Sequence, residues 1–192
     1  MAGKKPPEAV HAFIEPLQRA LDCVTDVVLN HFGGYMPRDT PHHLVLGNGT
    51  PVPLKGPHKL SFSLSMRYRI VKASGERGPW KVSVTTYLYI LHRDVDHGQH
   101  ELLGYHWHPD VEGETKAPHL HIEAGADAHW PPLAKAHLPT ERVALEDVLR
   151  LAVRDFSVEP RRDDWSAILS ATQQKYEAWR TWPRPQNPVE TT

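Results

Sequence analysis

The stretch from Leu103 to Ala124, LGYHWHPDVEGETKAPHLHIEA, constrains the fold more than any other part of the chain. It reads as two short strands, each carrying a His-x-His. Successive side chains of a strand point to opposite faces, so His106 and His108 share one side while Tyr105 and Trp107 take the other. In the second strand His119, His121 and Glu123 project one way and Leu120 and Ile122 the other. Each strand thus offers one apolar face to a core. Paired as a hairpin with those faces aligned, the two strands collect four imidazoles and a carboxylate on a single surface.

The segments before this hairpin extend the pattern. Leu60 to Ile70 alternates Leu60, Phe62, Leu64, Met66, Tyr68 and Ile70 with Ser61, Ser63, Ser65, Arg67 and Arg69, which predicts a strand with one core face and one polar, then basic, face. Lys81 to His92 is apolar on both faces and reads as a central strand, with Tyr87 and Tyr89 opposite Leu88 and Ile90. Four consecutive strands joined by modest loops form an antiparallel meander. Helical spacing predicts an N-terminal helix within Ala9 to Phe32, regular from about Pro16 and closed by Gly33-Gly34. Two C-terminal helices follow, one from about Glu141 to Phe156 with Thr140 as N-cap, and one from Trp165 capped by Asp163 or Asp164. The expected fold is α+β: a four-stranded antiparallel meander with the N-terminal and two C-terminal helices packed on one face.

At 192 residues the chain suits one domain. The reading is a disordered leader over 1–8, a single α+β domain over 9–182 with a long Pro-rich loop at 35–57, and a disordered tail over 183–192. Lys and Arg total 22 against 23 Asp and Glu, which argues against a general polyanion binder and against a membrane-surface protein. Cys23, the sole cysteine, excludes an intrachain disulfide framework and reads as a packing residue. The opening MAGKKPPEAV has no signal-peptide core, and no apolar run approaches the roughly 20 residues of a transmembrane helix, so a cytoplasmic setting is expected. Nine of the 14 histidines fall between His92 and His137, which singles out that quarter of the chain.

Two chemistries suit a face of this kind. In the first, His119 and His121, supported by His106 and His108, act as general acid and base in RNA cleavage without a cofactor. Arg67 and Arg69 would then hold the phosphate, and Tyr87 or Tyr89 would stack on a base. In the second, His106, His108, His119, His121 and Glu123 ligate zinc or iron in a metal-dependent enzyme. A third possibility is a non-enzymatic subunit that presents the sheet face, or the aromatic helix from Trp165 to Trp182, to a partner protein. His42 and His43, in the Pro-rich loop, read as solvated residues within reach of the site.

The order of elements from Leu60 to Pro160, with the strand APHLHIEAG followed by PTERVALEDVLRLAVRDFSVEP, resembles the TumE-type toxins of bacterial toxin-antitoxin pairs and related small bacterial proteins. That resemblance implies a growth-inhibiting ribonuclease with RNA as substrate and a cognate antitoxin as partner. It carries over only to His119 and His121. The long N-terminal helix, the Pro-rich loop and the Trp-rich last helix depart from the compact family pattern.

Overall fold

The computed structural model describes residues 2–73, 78–95, 98–109, 115–122 and 138–179. In chain order these form β1 (Ala2–Gly3), α1 (Pro6–Leu21), β2 (Leu29–Phe32), β3 (His42–Leu46), β4 (Val52–Pro53), β5 (Leu60–Lys72), β6 (Trp80–Val95), β7 (Gly98–Trp107), β8 (His119–Ile122), β9 (Leu138–Pro139), α2 (Leu145–Asp155) and α3 (Trp165–Trp179). The protein is α+β, and the sheet is larger than a four-stranded meander. Its main path runs β2-β3-β5-β6-β7-β8-β9, all antiparallel, with β1 added on β6 and β4 on β5. The meander expected from alternation is the centre of this sheet, and short strands extend it on both sides.

The alternation of β5 places Leu60, Phe62, Leu64, Met66, Tyr68 and Ile70 in the core, where Phe62 and Tyr68 are fully buried. Val10, Ala20 and Leu21 of α1, Leu145, Val148, Leu149 and Ala152 of α2, and Ile168 and Leu169 of α3 pack into the same cluster. Each large apolar side chain so buried contributes about 1.5–3 kcal/mol. Cys23 is buried among them, and burial raises its thiol pKa, which fits a packing role. No helix among the described residues is long and apolar enough to cross a membrane.

The N-terminal region differs from expectation. Residues 2–3 pair with Trp80 and Lys81 in place of a disordered leader, and α1 begins at Pro6. Pro6 and Pro7 occupy the first helical positions, where a missing N–H costs nothing. The helix ends at Leu21, well short of Gly33-Gly34, and Leu29–Phe32 becomes a strand. Gln18 decides that change of direction. Its side-chain amide donates to Asp22 Oδ1 (2.8 Å), while its Oε1 accepts the Leu29 backbone N–H (2.7 Å), so the chain folds back beside the helix. Tertiary pairing with β3 then outweighs the helical spacing of the apolar residues.

The Pro-rich loop is also partly ordered, because β3 and β4 lie within it. His42, expected in solvent, is fully buried on the helix side and stacks on Tyr68 with ring centroids 5.1 Å apart. The helix after the hairpin begins at Leu145 with Ala144 as N-cap; Thr140 does not cap it. Thr140 N donates to Pro118 O (2.8 Å) and Val143 N to the Tyr87 hydroxyl (3.2 Å), which keeps this stretch extended along the sheet. The tail over 183–192 lies outside the described residues.

Candidate functional site

Residues directly opposite one another in antiparallel strands share a face. The register therefore defines two rows on the side away from the helices: Ser65, Leu88, His106 and His119, then Ser63, Ile90, Gly104 and His121. Both His-x-His pairs emerge on this side. Ring centroids are 4.5 Å apart for His106 and His121, 5.0 Å for His119 and His121, 5.7 Å for His106 and His119, and 5.0 Å for His108 and His119. His119 is fully buried, and β9 pairs with its strand, so the cluster does not sit on a frayed edge.

His106, His119 and His121 each present a ring nitrogen, and these atoms lie within 4.8 Å of one another. His119 Nδ1 is 2.9 Å from the Ala117 carbonyl, which can only accept, so Nδ1 carries the proton. In the neutral ring Nε2 then holds the lone pair, the arrangement typical of a metal-ligating imidazole. Glu101 completes the group. Its Oε1 lies 3.4 Å from His106 Nε2, and both side chains are mostly buried. Burial alone would raise the Glu101 pKa, but the interaction with His106 and the charges of His106, His121 and His92 bring it below the usual carboxylate range.

Glu101 escapes the parity argument for a physical reason. By simple alternation an odd-numbered residue of β7 would face the helices, opposite to His106. A β-bulge shifts the register between Leu91/Leu103 and His92/Glu101, and this turns Glu101 onto the histidine side. Gly104 gives it room: a Cβ there would overlap the Glu101 carboxylate and stand 2.5 Å from His106 Nε2.

The other expected site residues separate into groups. His43, read from the sequence as solvated, and His92, not among the expected site residues, also lie on the face, bonded through Nε2 to Ser65 Oγ (2.9 Å) and Ser63 Oγ (2.8 Å) respectively. Arg67 is exposed on this face beside His43. Arg69 is drawn away, since its guanidinium donates to Asp39 O (2.6 Å). Tyr87 and Tyr89 cannot stack on a base, because they are buried in the core and stacked on each other at 4.8 Å. A second bulge, between Arg67/Thr86 and Tyr68/Val84, exchanges the faces of β6 halfway along its length. This explains why that strand reads as apolar on both sides. Glu123 lies outside the described residues.

The chain matches no family model, curated protein or solved structure. The functional reading therefore rests on the geometry of this face.

Burial lowers the pKa values of His42, His43 and His92, helped by Arg38 at His42 and Arg67 at His43, and opposed by Glu101 at His92. In the folded state these rings bind protons less readily than in the unfolded chain, whose histidines titrate at about 6.5. As pH falls below that value the unfolded state gains protons that the folded state refuses, so stability drops. Urea midpoints measured at pH 7.5 and 5.5 should be lower at the acid value; equal midpoints would contradict the burial argument.

Proposed function

We propose that this protein is a metal-dependent enzyme whose centre is His106, His119 and His121, with Glu101 as the adjoining carboxylate. The observation that carries this reading is the convergence of three imidazole nitrogens within 4.8 Å from two neighbouring strands. Two ligands at about 2.0–2.1 Å from a tetrahedral ion are about 3.4 Å apart. The Glu101 to His106 separation of 3.4 Å already has that value, and small ring rotations would close the longer edges. The donor set of imidazole and carboxylate suits zinc or non-haem iron. A three-histidine centre keeps one position for water or substrate, and the ion there would supply Lewis acidity.

The chain's own residues supply the rest. The Ala117 carbonyl orients His119, and Glu101 either completes the shell or accepts a proton from a group entering it. Protein purified without chelator should carry close to one equivalent of zinc or iron by elemental analysis, and dialysis against EDTA should remove it together with activity. Protein that arrives metal-free and binds zinc no more tightly than millimolar would defeat the proposal. Gly104→Ala, which would force Glu101 and His106 apart, is expected to weaken zinc binding by about 10- to 100-fold, measured by competition with a chromophoric chelator.

A second reading is favoured by the 4.5 Å approach of the His106 and His121 rings, which would let one imidazole act as base and the other as acid on an RNA phosphate. It agrees with the resemblance to TumE-type toxins and would bring an antitoxin as partner. The two readings part on one assay: RNA cleavage that persists in excess EDTA supports the second.

A further inference from the structure

Between the histidine group and β5 lies a strip that the metal proposal does not use. Leu88 and Ile90 sit on the histidine face of β6, both half-buried, and Gly104 adds no side chain beside them. On the far side of the strip stand Ser63 and Ser65, hydrogen-bonded by His92 and His43. One row further on is Arg67, the register partner of His43, exposed and without an ion pair among the described residues. From β5 to β7 is two strand spacings, about 10 Å, and the one-row offset of Arg67 along β5 makes its backbone roughly 12 Å from that of His106. The face thus presents an ion-directed end, an apolar floor and, diagonally across it, a cationic end.

We infer that the substrate is an elongated amphipathic acid. One end offers an oxygen to the His106, His119 and His121 centre, a short apolar body lies over Leu88 and Ile90, and a carboxylate or phosphate roughly 10–12 Å away is held by the Arg67 side chain. The inference rests on the metal reading. Its physical basis is complementarity at each part. The guanidinium recognises an oxyanion by paired donors, Ser65 and His43 add polar contacts beside it, and the aliphatic floor favours methylenes over a charged body. A fully polar substrate would desolvate against Leu88 and Ile90 without return.

The test uses the zinc-loaded full chain and two probes, octanehydroxamate and the monohydroxamate of octanedioic acid. Both carry the same zinc-seeking group and nearly the same methylene body, and only the second ends in a carboxylate. By isothermal titration calorimetry the second should bind about tenfold or more tightly, the usual size of a charge-assisted contact. Arg67→Gln should erase that advantage while leaving octanehydroxamate binding unchanged. Equal binding of both probes to the wild type, or an advantage that survives Arg67→Gln, overturns the inference and leaves the metal centre standing. Binding of neither probe to protein that retains zinc overturns both, because the centre then has no accessible position.

Discussion

Replacement of His119 by alanine is expected to lower zinc affinity on the order of a hundredfold or more, which is the largest effect anticipated for a single substitution in this protein. Structural zinc sites gain about 10–16 kcal/mol from roughly four ligands, so one ligand accounts for about 3 kcal/mol, or two decades of affinity. The position should be more sensitive than its neighbours because His119 is fully buried and its Nδ1 is already committed to Ala117 O. Alanine there removes the donor and also leaves that carbonyl without its partner, a further cost of about 1–3 kcal/mol in stability. His121→Ala is the companion variant, since His121 is only half-buried and its loss should spare the fold. Zinc competition on both variants, with thermal melts alongside, separates the effects. Full zinc affinity in a folded His121→Ala protein would remove it from the centre.

Phe62→Ala is expected to destabilise the fold by about 3–5 kcal/mol, the usual cost of removing a buried aromatic ring. Phe62 is fully buried near the start of β5, where it pairs with Val52 on one side and Leu91 on the other, so the cavity has little freedom to collapse. In a protein of this size each kcal/mol corresponds to about 2–4 °C, so the melting midpoint should fall by on the order of 10 °C. Ser63→Ala, one residue along and on the opposite face, should change it far less, since it loses one partly buried hydrogen bond to His92 worth about 1 kcal/mol. Comparable losses for the two variants would mean that the helices do not pack on the Phe62 side.

The sequence could be read furthest where alternation was strict and one side was strongly apolar. In β5 the run from Leu60 to Ile70 identifies both the strand and its buried face, because a slip of one residue would expose six large side chains at once. The two His-x-His segments follow the same rule, and their imidazoles do share a face. The stripes of α2 and α3 likewise mark helices that cover the core. Together these determine the fold class, the strand core of the sheet and the location of the histidine group.

Tertiary structure alone decided the rest. Leu29–Phe32 has apolar spacing that suits a helix, yet pairing with β3 and the Gln18 side chain hold it extended. Two bulges reversed the parity of β6 and β7, which sent Tyr87 and Tyr89 into the core and brought Glu101 to the histidines. A bulge is one unpaired residue selected by packing on both sides of a strand, and no local spacing announces it. Periodicity therefore says which side chains can share a face, but only the assembled sheet says where that periodicity restarts, and the acid beside the histidines depends on such a restart.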